Sequence, residues 1–147
     1  MQNVLISNSV CETERIGERI GQAIRGGCVL AMFGGMGMGK TAMVHGIARG
    51  MGLSVEVSSP TFALVNDYGG RPALVHFDMY RIENWNDLYT TGFFDYLDAG
   101  AVLAVEWSEN IEAALPETSV KLTFERTGDD SRTITVDDPA GVLGDRL

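Results

Sequence analysis

Apolar residues recur along this chain at two different periods, and the changes of period mark out its elements. Val4–Ile6 reads as a short strand. Ile16, Ile20 and Ile24 then fall four residues apart with Glu and Arg between them, which predicts an amphipathic helix from Glu12 to Ile24. Gly26-Gly27 ends it. Cys28–Phe33 is an unbroken apolar run, the pattern of a strand covered on both faces. Gly34–Gly39 reads as a loop, and a helical pattern runs from Lys40 to about Met51, stopped by Gly52. Val55–Val57 reads as a strand that Ser59-Pro60 breaks. Leu64–Tyr68 and Ala73–Phe77 predict a hairpin around Gly69-Gly70-Arg71-Pro72. Trp85–Thr91 predicts a short helix, Val102–Val105 a buried strand, and Ser108–Leu115 a helix halted by Pro116. Val120–Glu125 and Thr133–Asp137 predict a last hairpin around Gly128-Asp129-Asp130. Strands and helices alternate early and hairpins enter later. The expected fold is therefore a single α/β domain over residues 1–147. It should have a mixed, mostly parallel sheet flanked by helices and a C-terminal β-hairpin.

The loop carries the candidate chemistry. Gly34-Gly35-Met36-Gly37-Met38-Gly39-Lys40-Thr41 fits G-x-x-x-x-G-K-[ST], the P-loop, so the expected domain is P-loop NTPase-like. Backbone N–H groups must wrap a phosphate chain, and glycines let the backbone turn inward without a Cβ in the way. The helix that starts near Lys40 points its positive dipole end at the phosphates. Lys40 is expected to reach the β- and γ-phosphates and Thr41 to ligate Mg²⁺, with Ala42 closing the cradle. Hydrolysis needs a further carboxylate on the magnesium side and a group that positions water. Asp78 and Glu106 each follow an apolar strand, where α/β sheets place ligand chemistry, although an acid there can also be just the first solvated residue. Thr61, between the loop helix and the next strands, is placed like a switch residue that senses the γ-phosphate, and equally like a turn residue.

Composition narrows the class. A chain of 147 residues buries enough surface to fold without staples. Its two cysteines, Cys11 and Cys28, form no C-x-x-C or Cys/His cluster, and reduced thiols in the cytoplasm are expected. Met1–Ser7 holds no Lys or Arg and leads into no long apolar run, unlike a secretory signal. No stretch approaches the roughly 18 apolar residues of a membrane span. The net charge is −9, unevenly placed: residues 1–77 hold six basic and five acidic side chains, and residues 78–147 hold five basic against fifteen acidic. Such a surface repels nucleic-acid phosphates, so contact with RNA is expected only through a protein partner.

In the order of its motifs the chain resembles the bacterial TsaE (YjeE) family. The matching blocks are Gly34–Thr41 with Val44–Gly52, Ser59-Pro60-Thr61-Phe62 with Leu64-Val65 and Tyr68, and His76-Phe77-Asp78-Met79-Tyr80-Arg81. Gly92 with Tyr96-Leu97, and Val105-Glu106-Trp107 with Glu109, complete the series. The resemblance implies a cytoplasmic ATPase of tRNA threonylcarbamoyladenosine modification, weak alone and modulated by a TsaB–TsaD pair that meets the tRNA. Lys40 and Thr41 would serve phosphates and magnesium, Asp78 and Glu106 would be the magnesium- and water-side carboxylates, Thr61 the switch threonine, and Trp107 the tryptophan near the nucleotide. Alone, a monomer is expected. Two departures from the family pattern stand out: Gly35 where an acid is usual, and Met38 where a small residue is usual. Met38 should point away from the phosphates.

Other residues read as packing. His76 reads as a packed histidine, His45 as a surface one, and Trp85 and Phe93-Phe94 as packing aromatics. Competing functions are a small-molecule kinase, which would want a lid with several arginines where only Arg81 follows Asp78, and a GTP switch, which would want an Asn-Lys-x-Asp block that is absent. An adaptor that binds nucleotide without needing to hydrolyse it is the non-enzymatic reading.

Overall fold

The computed structural model describes residues 2–35, 37–58 and 64–144. Seven strands form one sheet in the order β1-β7-β6-β2-β5-β4-β3. These are β1 (Gln2–Ser7), β2 (Cys28–Phe33), β3 (Val65–Gly70), β4 (Ala73–Asp78), β5 (Val102–Glu106), β6 (Val120–Arg126) and β7 (Arg132–Asp137). The four central strands, β6-β2-β5-β4, are mutually parallel. The edges turn antiparallel: β3 pairs with β4, β7 with β6, and β1 with β7. The mixed sheet and the C-terminal hairpin are those expected from the sequence.

The pleat sends alternate residues to opposite faces. Leu30 and Met32 join Leu74, Val102 and Ala104 beneath α1 (Val10–Ala23) and α2 (Lys40–Gly50). Val29 and Ala31 join Val75, Phe77, Leu103 and Val105 on the other face. There they meet Leu88 of α3 (Trp85–Thr90), Phe93 of α4 (Phe93–Asp98) and Ile111 of a 3₁₀ segment, Ser108–Ala114. Continuous apolar runs such as Cys28–Phe33 follow from this double covering.

Helix α1 starts two residues earlier than its apolar period suggests, because a capping box fixes its end. Ser9 Oγ accepts from the Glu12 N–H at 3.1 Å, and Glu12 reaches back to accept from the Asn8 N–H. The two helices meet along glycines. A Cβ at Gly17 would lie 2.4 Å from the Met43 carbonyl oxygen, and one at Gly46 would lie 2.0 Å from that of Glu14. Backbone therefore touches backbone, and α1 sets how α2 lies on the sheet.

Three local readings differ. Val55–Val57 forms no strand; it has no ladder partner among the described residues, and its valines pack against the core beneath α1 and α2. Ser108–Ala114 is 3₁₀ rather than α-helix, interrupted by non-helical dihedrals at Ile111. Helix α4 was not expected; it starts from Gly92, whose φ of 82° is the left-handed conformation that glycine tolerates.

Candidate functional site

Three strands end side by side. In the order β2-β5-β4 their carboxyl ends carry the glycine-rich loop, Glu106 and Asp78. Asp78 and Glu106 are register partners in the parallel β4–β5 ladder, one strand spacing of about 4.8 Å apart along the backbone. A cavity of about 480 Å³ opens above these ends, a size usual for small-molecule sites. Gly37, Met38, Gly39, Lys40, Thr41 and Ala42 line it from the loop and helix side. Leu64, Asp78, Tyr80, Arg81, Glu106 and Trp107 close it from the other. Gly34 and Gly35 lie outside this lining, and Met36 and Thr61 fall outside the described residues. Met38 lines the cavity and also packs against the core side chains.

Lys40 is almost wholly buried, 4% exposed. Its Nζ donates to the Gly34 carbonyl at 2.8 Å and sits 4.4 Å from the centre of the Trp107 ring. Burial lowers its pKa, while the carboxylates of Glu106, Glu109 and Asp78 push it back up. The loop is braced from outside by two side chains that motif reasoning left without a role. The Gly34 N–H donates to Glu109 Oε2 at 3.1 Å, and Arg132 Nη2, from the C-terminal hairpin, donates to the Gly37 carbonyl at 3.2 Å. No local signal ties Arg132 to a loop 95 residues away.

Glu106 is buried at 6% exposure. Its Oε2 accepts from Thr41 Oγ1 at 3.4 Å and from His76 Nε2 at 2.5 Å. His76 is fully buried, as its packed reading held, yet it is bonded at both ring nitrogens, with the Tyr68 hydroxyl 3.4 Å from Nδ1. Asp78 Oδ1 accepts from the Tyr80 N–H at 2.9 Å. Asn110 Nδ2 donates to the Met79 and Tyr80 carbonyls at 2.8 and 3.2 Å, which pins the turn after Asp78. The Tyr80 ring then lies 4.9 Å from that of Trp107.

The two non-glycine residues with positive φ among those described are Leu64 at 63° and Trp107 at 58°. Both line the cavity. Left-handed backbone costs a non-glycine residue about 1–2 kcal/mol, and such strain gathers where a site needs a side chain aimed.

Among the described residues no cluster of three His, Cys, Asp or Glu is placed to hold a metal by itself. The oxygens of Thr41, Asp78 and Glu106 are hard donors of the kind that suits Mg²⁺, which takes one or two carboxylates and completes its shell with phosphate and water. No helix among the described residues is long and apolar enough to cross a membrane.

Residues 7–134 match the family model described as Threonylcarbamoyl adenosine biosynthesis protein TsaE. A Treponema pallidum protein described as tRNA threonylcarbamoyladenosine biosynthesis protein TsaE is 35% identical over 131 residues, 89% of this chain and 97% of that one. The Bacillus subtilis protein of the same description is 36% identical over 125 residues, 84% of this chain and 78% of its own. The crystal structure of Bacillus subtilis YdiB superposes with a TM-score of 0.77 at 29% identity, covering 94% of this chain and 86% of that one. With the family model matching residues 7–134 and relatives above 30% identity over most of their length, this chain belongs to the TsaE family of tRNA threonylcarbamoyladenosine biosynthesis proteins.

Proposed function

We propose that the cavity binds ATP with Mg²⁺ and that the protein hydrolyses it slowly, in support of a TsaB–TsaD-type pair that modifies tRNA. The observation that carries this reading is the convergence of Lys40, Thr41, Asp78 and Glu106 on one cavity at the ends of adjacent parallel strands.

Backbone N–H groups of the loop and of the first turn of α2 bind the phosphates, helped by the helix dipole. Lys40 exchanges its bond to the Gly34 carbonyl for the β- and γ-phosphate oxygens. Thr41, Asp78 and Glu106 would hold magnesium, which neutralises phosphate charge when bound. Glu106, buried and bonded, orients the attacking water. Thr61 is proposed as the switch residue that senses the γ-phosphate, and Trp107 as a wall of the nucleotide site. The acidic half, residues 78–147, favours contact with tRNA through protein partners only.

The test is ATP hydrolysis by the protein alone and with TsaB, TsaD and tRNA, beside Lys40→Ala and Asp78→Ala. Hydrolysis that responds to the partners and disappears in both variants is expected. Phosphoryl transfer to a small hydroxylated metabolite, with no response to TsaB–TsaD, would overturn the assignment.

A further inference from the structure

His76 lies on β4 two residues before Asp78, so both side chains leave the same face of the sheet. Its register partner on β5 is Ala104, two residues before Glu106. A methyl group is all that Ala104 places in the way, and the imidazole crosses it to reach Glu106 Oε2 at 2.5 Å. On its other side His76 faces β3, where the Tyr68 hydroxyl stands 3.4 Å from Nδ1. Tyr68 is itself held: its hydroxyl oxygen lies 3.2 Å from the Ser58 carbonyl oxygen and accepts from Asn66 Nδ2 at 3.4 Å. No buried side-chain nitrogen or oxygen among the described residues lacks a partner.

A fully buried imidazole is an expensive way to fill space, and a leucine or phenylalanine would do so without polar atoms to satisfy. The two ring nitrogens are aimed at two different elements, and one target is the carboxylate at the site. Glutamate has three side-chain torsions, and free rotation would spread its carboxylate over positions that do not serve the reaction. A catalytic carboxylate works when held within a fraction of an ångström of its productive place.

We propose that His76 is a positioning residue that fixes the Glu106 carboxylate for ATP hydrolysis, and that Tyr68 holds His76 in the orientation this requires. The inference rests on the ATPase reading of the site. His76 does not touch the cavity and acts only through Glu106.

Glutamine and asparagine separate positioning from packing. The side-chain nitrogen of glutamine extends to where His76 Nε2 sits, and that of asparagine extends only to where Nδ1 sits. His76→Gln should keep kcat within a few-fold of wild type. His76→Asn and His76→Leu should lower kcat by roughly 10–100-fold, the usual penalty for losing a group that orients a site ligand. KM for ATP should change by less than about threefold, since Lys40 and the loop are untouched. Thermal melting places all three variants on one stability scale. A second readout needs no nucleotide. The chain has only two histidines, so their ring-nitrogen resonances are readily told apart. At fixed pH, Glu106→Gln should shift those of His76 and leave those of His45 in place.

Equal kcat in the Gln and Asn variants, a loss confined to KM, or His76 resonances indifferent to Glu106→Gln would each overturn the inference. If Lys40→Ala and Asp78→Ala abolish hydrolysis while every His76 variant works at the wild-type rate, the proposed function stands and the positioning role falls. A wild-type protein that hydrolyses no ATP, alone or with its partners, overturns both.

Discussion

Gly46→Ala tests the claim that the α1–α2 contact is backbone on backbone. The added Cβ would lie 2.0 Å from the Glu14 carbonyl oxygen, 2.9 Å from its carbon and 3.0 Å from Glu14 Cα. Ordinary carbon–oxygen contact begins at about 3.3 Å, so the helices must separate by roughly 1 Å. All three atoms are backbone, and no rotamer change relieves the clash. Overpacking of this kind costs about 1–3 kcal/mol, and rigid neighbours put this site near the top of that range. Alanine recovers about 1 kcal/mol of helix propensity. The net loss is about 2 kcal/mol, or about 4–8 °C in Tm for a chain of this size. Differential scanning calorimetry on Gly46→Ala, with Gly26→Ala as control, measures it; nothing lies within 4 Å of a Cβ at Gly26. Gly17→Ala added to Gly46→Ala should cost less than the sum, because the first methyl has already parted the helices. An unchanged or raised Tm for Gly46→Ala would refute the close approach, and with it the idea that α1 sets the attitude of the helix bearing Lys40.

Further expectations follow from the site and its surroundings. Trp107 should report nucleotide: in a Trp85→Phe protein, ATP with Mg²⁺ should change its fluorescence saturably as Lys40 leaves the ring 4.4 Å away. A flat signal at saturating ATP would count against that placement. Arg132→Ala should weaken nucleotide binding about 3–10-fold, in line with the roughly 0.5–1.5 kcal/mol net worth of one exposed hydrogen bond at the loop; calorimetric titration showing wild-type affinity would remove the brace from the account. Burial first, and the charge of Asp138 second, push the Cys28 thiol from an ordinary value of 9.0 up to about 12. The unfolded chain then releases this proton from about pH 9 while the folded chain keeps it. Stability contributed by Cys28 is complete below pH 9 and falls as pH rises toward 12. Urea midpoints should therefore fall less steeply above pH 9 in Cys28→Ala than in wild type, and identical slopes would refute the shift.

The parallel core was legible because both of its signals are local. Cys28–Phe33 announces a doubly covered strand, and the glycines with Lys40 and Thr41 announce the turn into a helix. Asp78 and Glu106 were readable as strand-end acids, although only the register shows them opposite each other. What escaped depends on distant partners. Val55–Val57 has the residues of a strand but, among the described residues, no strand beside it. His76 is apolar in context and fully buried, and nothing in its neighbourhood along the chain shows that Glu106 lies 30 residues on at hydrogen-bond distance. Arg132 opens the second strand of the C-terminal hairpin and braces the loop by topology. The capping box at Ser9 and Glu12 was present in the sequence, but apolar spacing dominated the reading of that helix's start.

The strand order also dictates when the protein can fold. Strand β2, which delivers the glycine-rich loop, is flanked by β5 and β6, whose residues come some 70 to 90 positions later. At the edge, β1 pairs with β7, joining Gln2 to Asp137. During synthesis the loop and its lysine leave the ribosome early, with only the α1–α2 pair to settle against. The β5 side of β2 cannot close until Glu106 has emerged, and its β6 side must wait for Arg126; closing so long a loop is slow. A nascent chain stalled before residue 120 would thus carry the complete phosphate motif on a strand with a neighbour on one side only.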